Sequence, residues 1–278
     1  MRSVGAQTIM LLVLVTLLWL LFLCARVWTT PVALGLWLLL TALVARGLFL
    51  RARLRRRAWL QMYLHPASAL VPRLGGGPLL MGMQTVLAAA LALLLMVTMA
   101  GGSHPQMWFW LIGSALLLPS LACGLERVLA AQANPALLAE LAWRLSGVIV
   151  GVGLLLAFTL QAYVQSYPDF SAVSLEQAVW HLAGQQQARS EATLAVLQGA
   201  AAAEGVRLWL AQQLLPTPAE SLWQALGWVL LLAQEALFIW SYLLACRGIV
   251  MLHSAGSSVH RLHTREGESI ENTHAESL

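Results

Sequence analysis

"IMLLVLVTLLWLLFLC", residues Ile9–Cys24, contains neither a charge nor a helix-breaking residue. A helix rises 1.5 Å per residue, so about 20 apolar residues cross the ~30 Å hydrocarbon core of a bilayer. Arg2 ahead of this run raises the alternative of a secretion signal. No A-x-A-like cleavage site follows, and the run exceeds the ~7–15 apolar residues of a signal core. Cys24 is preceded by Leu23, not by the small residue that a lipoprotein site carries. The segment therefore reads as a retained first membrane helix.

Five further runs have the same character, giving six expected spans at 8–25, 32–50, 78–100, 107–123, 146–165 and 222–246. Composition agrees. Of 278 residues 59% are hydrophobic and 10% charged, with a mean hydropathy of +0.74, whereas a soluble domain carries roughly a quarter charged residues. Most of the surface must face something other than water.

All 16 basic residues are arginine. Without lysine there is no P-loop lysine and no Schiff-base chemistry. Asp169 is the sole aspartate, which removes paired-aspartate catalysis. An arginine-only chain rich in Ala and Leu fits a GC-rich bacterial genome. Cys24, Cys123 and Cys246 each end an apolar run, an odd set without metal-site spacing, and read as small hydrophobes.

Arginine placement sets the expected orientation, because cytoplasmic loops retain positive charge. With the N-terminus inside, Arg2, six arginines in 51–77, Arg127, Arg144, Arg247, Arg261 and Arg265 are cytoplasmic. Only Arg26, Arg189 and Arg207 lie outside, and Arg46 falls within the second span. Six spans then place both termini in the cytoplasm of a bacterial inner membrane. Trp28, Trp108, Trp110, Trp143 and Trp223 fall near span ends, where amphipathic rings prefer the interface.

Three helix starts carry signatures. Asn134-Pro135 opens the fifth helix, with Glu140 and Arg144 expected as an i,i+4 pair. Thr217-Pro218-Ala219-Glu220 opens the sixth, and "SLEQ" from Ser174 to Gln177 is a capping box in between.

The expected architecture is an all-α, polytopic membrane protein of six transmembrane helices, N-in and C-in. Residues 1–165 hold helices 1–5, with a cytoplasmic basic loop at 51–77 and a cytoplasmic helix start at 135–145. Residues 166–221 form a short amphipathic helical cap outside, on the helical spacing of Leu175, Val179 and Leu182. Residues 222–253 carry helix 6, and 254–278 form a polar, disordered cytoplasmic tail.

The candidate site is intramembrane. Glu235, within "LLLAQEALFIW" at 230–240, falls near the expected midplane. A charged side chain there costs roughly 2.5–3.5 kcal/mol on insertion scales, so it should face the bundle interior. Gln234 and Tyr242 on the same helix and Thr41 on helix 2 complete the polar set, with Thr16 and Ser114 at similar depth. A proton or cation site of a transporter is one reading. A polar lock between helices is the other, and the scarcity of further polar steps along a path favours it.

Arg51, Arg53, Arg55, Arg56 and Arg57 follow helix 2 directly and suit anionic lipid headgroups, or serve only as topogenic charge. Nucleic acid is not an expected partner, since no aromatics interleave the block. Gly147 and Gly151 form a GxxxG packing face. The histidines are not grouped within a span, so no metal or cofactor is expected.

Because no catalytic constellation is visible, the sequence points to a non-catalytic inner-membrane subunit of a bacterial multi-protein assembly, of secretion or conjugation type. Membrane lipids and other subunits, or further copies of the chain, are the expected partners. The alternative is a small-solute or ion transporter or channel built on Glu235.

Overall fold

The computed structural model describes residues 4–24, 29–63, 78–100, 105–131, 135–164, 168–170, 172–214, 227, 229 and 232–252. The helix start at 217–220, the Asn134 cap, the tail 254–278 and most of 222–231 lie outside these residues. Every regular element described is a helix: α1 (Val4–Cys24), α2 (Thr30–Tyr63), α3 (Pro78–Ala100), α4 (Pro105–Leu129), α5 (Pro135–Val164), α6 (Leu175–Gly184) and α7 (Glu191–Leu214). The apolar stretch Leu232–Leu252 forms α8.

Six of these contain stretches long and apolar enough to cross a membrane: Val4–Cys24, Thr30–Phe49, Met81–Ala100, Gln106–Leu129, Leu138–Gln161 and Leu232–Leu252. Each sends one stripe inward and leaves large apolar side chains outside, among them Val86, Phe109, Leu156 and Leu160. That pattern, apolar inside and out, belongs to a multi-pass membrane protein.

The shared core runs through all six spans. Leu11, Leu14 and Leu18 of α1, Leu40 and Val44 of α2, Leu95 and Met99 of α3, Leu111 and Leu118 of α4, and Phe238 and Tyr242 of α8 are fully buried there or nearly so. Ring contacts join the end of α1 to the start of α4 (Phe22 and Trp108, 5.8 Å) and α5 to α8 (Phe158 and Phe238, 6.0 Å). The Trp37 indole of α2 donates to the Ala89 carbonyl of α3 at 3.0 Å.

Helices α2 and α8 approach main chain to main chain. A Cβ on Gly47 would stand 2.7 Å from the Leu244 carbonyl oxygen, and one on Gly248 would overlap the Leu43 carbonyl. Only glycine permits main chains to come this close. The GxxxG of α5 is used in part. Gly151 packs on Leu243 and Ile239 of α8, while nothing stands within 4 Å of where a Gly147 Cβ would be.

One expectation changes. Residues 51–63 are not a loop, because α2 continues unbroken to Tyr63. Leu, Gln, Met and Arg are good helix formers and no Gly or Pro interrupts this stretch. The last span runs to Leu252, within the 222–253 expected for helix 6. It passes Arg247, whose charge is paired with Glu140.

Helices α6 and α7 form a hairpin with a small core of its own. Phe170, Ala178 and Leu208 are buried, with Val173, Leu182 and Trp209 packed around them. Gly205 of α7 lets the α6 main chain approach, since a Cβ there would lie 3.0 Å from the Val179 Cα. The Ser174 capping box forms as its sequence indicates: the hydroxyl accepts from the Gln177 N–H, and the Gln177 amide oxygen accepts from the Ser174 N–H. Gln212 ties down the segment that enters the hairpin, accepting from the Phe170 N–H at 2.6 Å and donating to the Pro168 carbonyl at 2.9 Å. The hairpin sits against the start of α2 and the end of α3, where the Thr30 and Ser190 hydroxyls meet at 2.6 Å.

Candidate functional site: three polar clusters on the last span

Three polar side chains of α8, at three levels, find partners on three different elements. Nearest the hairpin stands Glu235, with Gly227 and Val229 ahead of it also helical. It is partly buried, and its charged neighbours are Arg207 and Glu204 of α7. Those two are themselves paired at 3.3 Å, with the Arg207 side chain 11% exposed and that of Glu204 42%. The carboxyl thus has the hairpin among its neighbours.

Two turns further on lies Tyr242, fully buried. Its hydroxyl is 3.0 Å from the Ser114 hydroxyl and donates to the Leu111 carbonyl at 3.3 Å. Ser114 also donates to Leu111, at 2.7 Å. Three oxygens therefore share two protons in a dry core, a fully satisfied arrangement that fixes the register of α8 on α4.

At the far end, Arg247 donates to the Glu140 carboxylate of α5 and lies 5.1 Å over the Trp143 ring. Its side chain is 6% exposed and that of Glu140 23%. The guanidinium is planar and weakly hydrated, which suits it to a buried pair stacked on an indole. The expected Glu140–Arg144 pair is replaced by this one: Arg144 is exposed, and the acid serves an interhelical contact.

The four residues read as one polar set are not brought together. Tyr242 joins Ser114, and Glu235 joins the hairpin. Gln234 is partly buried beside Glu235, and Thr41 is buried on α2 with no hydrogen-bond partner for its hydroxyl among the described residues. Thr16 is exposed. The arginines Arg51, Arg53, Arg55, Arg56 and Arg57 lie along the extension of α2 beyond Phe49.

No protein family, curated protein or solved structure matches this chain. Its chemistry rests on its own residues. Buried Ser146 and Ser241 donate back to the carbonyls of Trp143 and Phe238 on their own helices, at 2.8 and 2.9 Å. This common device satisfies a hydroxyl in an apolar interior. Among the described residues no three His, Cys, Asp or Glu side chains converge as a metal site would need. Cys246 is buried, Cys123 half-buried and Cys24 exposed, all as free thiols.

The sequence reading did not single out Arg247, Gly47 or Gly248. A signal was present: the chain contains Ala45-Arg46-Gly47 and Cys246-Arg247-Gly248, the same small-Arg-Gly pattern near the ends of two spans.

Proposed function

We propose that the chain is a non-catalytic subunit of a multi-protein assembly in a bacterial inner membrane, of the secretion or conjugation type. In this reading both termini are cytoplasmic and the α6–α7 hairpin is the external docking element. The arginine distribution supports the orientation, since the basic segment of α2 and Arg247 fall on the side opposite the hairpin.

The observation that carries the reading is Trp180. It stands on α6 with 67% of its surface exposed, on a hairpin whose other aromatics, Phe170 and Trp209, pack into its own small core. An exposed Trp on an element held rigid by its own core is the anchor type that protein interfaces favour. Within the bundle, by contrast, Tyr242 and Arg247 are engaged in bonds between helices.

Cross-linking in native membranes followed by purification in mild detergent tests this. Trp180→Ala should leave the thermal unfolding midpoint unchanged and remove cross-linked subunits. A wild-type chain that runs alone as a monomer after cross-linking overturns the reading.

A transporter or channel built on Glu235 is the second reading, supported by one observation: the carboxyl is only partly buried and is coupled to the mixed-sign pair Arg207 and Glu204. In reconstituted vesicles Glu235→Gln would then fold normally and lose pH-dependent flux. Identical flux in both proteins removes this reading.

A further inference from the structure

Between α2, α3 and α7 lies an apolar pocket of roughly 150 Å³. Its geometry is regular. On α2 the lining is Thr30, Ala33, Leu34 and Trp37, and on α3 the same i, i+3, i+4, i+7 spacing recurs from Leu93 to Ala100. Each helix contributes one stripe two turns long, about 10 Å along its axis. Helix α7 crosses over the outer end with Thr193 and Val196. The result is a narrow slot that runs down the helix axes and is partly roofed at the hairpin.

We propose that this slot holds one acyl chain of a phospholipid from the leaflet that borders the hairpin. The walls are almost wholly carbon, and an apolar cavity of this size excludes water while accepting an apolar guest. The indole N–H of Trp37 is already bonded to the Ala89 carbonyl, so the ring offers the slot its apolar surface. Leu34 and Val196 at the sides are about half exposed, so the slot is continuous with the lipid-facing surface. A helix of ~10 Å diameter cannot enter beneath α7. A single flexible chain lying along the membrane normal can.

The rim is polar. The Thr30 and Ser190 hydroxyls meet there at 2.6 Å, and Arg189 and Glu191, both exposed, flank Ser190 in the chain. Arg189 provides the cation for a lipid phosphate at the level where the acyl chain would leave the slot. The inference is independent of the assembly reading and requires only that the six spans lie in a bilayer.

The full chain in mild detergent is mixed with phosphatidylglycerol carrying a diazirine near the end of one acyl chain, irradiated, and mapped by peptide sequencing. Label should concentrate severalfold on residues 30–37, 93–100 and 192–197 relative to the exposed face of α5 at Val148, Val152 and Leu156. Ala33→Phe, which fills the slot, should abolish that excess and leave the α5 label unchanged. Ala33 is buried, so Ala192→Trp, at an exposed lining position, repeats the test in a variant with an intact unfolding midpoint. Excess unlabelled phosphatidylglycerol should displace the label, and palmitic acid should not. Even labelling of the two regions overturns the proposal, as does an excess that survives both variants. Displacement by palmitic acid alone overturns the assignment to a phospholipid.

Discussion

Gly248 of α8 lies against the main-chain carbonyl of Leu43 in α2, and the contact is reciprocated four residues away, where Gly47 lies against the carbonyl of Leu244. Each glycine meets the residue four positions before the other. This is the pattern of two helices running in the same direction with their main chains in contact, where Cα–H groups point at carbonyl oxygens.

Gly248→Ala should therefore destabilise the bundle by about 1–3 kcal/mol, the usual cost of overpacking, with Gly47→Ala similar or milder. Gly147→Ala is the control, because open space surrounds that position. It should be neutral or stabilising by up to ~1 kcal/mol. Thermal unfolding in one detergent ranks the three.

Removing one partner of a fully buried ion pair costs about 3–5 kcal/mol. The Glu140 side chain keeps 23% of its surface, so Glu140→Ala should cost about 2 kcal/mol. Replacing both Glu140 and Arg247 by Leu should recover most of the loss. A double-mutant cycle on unfolding free energies reads this coupling, and additive single effects would contradict the pair.

Tyr242→Phe should cost about 1 kcal/mol, the net worth of a neutral buried hydrogen bond, because Ser114 keeps its bond to Leu111. Ser114→Ala should cost less in the Tyr242→Phe background than alone. Unfolding midpoints of the two single variants and the double variant settle the comparison.

Ser174→Ala removes the α6 cap and should cost about 1 kcal/mol within the hairpin. Amide hydrogen exchange should rise in the first turn of α6, around Glu176 and Gln177, and remain unchanged around Tyr242. An equal rise at both places would mean that hairpin and bundle unfold as one unit.

The spans were legible because apolar length is a local property that a bilayer reads directly, as in Val4–Cys24. The capping box at Ser174 was legible for the same reason, since its donors and acceptors lie three residues apart. Arg247 was not. Its charge marks a span end until a partner 107 residues away pairs with it, and no local pattern shows that Glu140 will be there. Gly47 and Gly248 form a contact between distant segments, so only their shared small-Arg-Gly context hinted at a common role.

Helix α2 begins at Thr30, whose hydroxyl is bonded to the hairpin, and continues for 34 residues to Tyr63. At 1.5 Å per residue it is about 51 Å long, some 20 Å more than a hydrocarbon core. An α-helix resists bending over such lengths unless a proline, glycine pair or bulge interrupts it. The hairpin on one side of the membrane and the arginine-rich stretch Arg51–Arg57 on the other are thus opposite ends of a single strut. Where α2 crosses α8 at Gly47, it has a fulcrum, and tilting the strut there would swing its two ends in opposite directions.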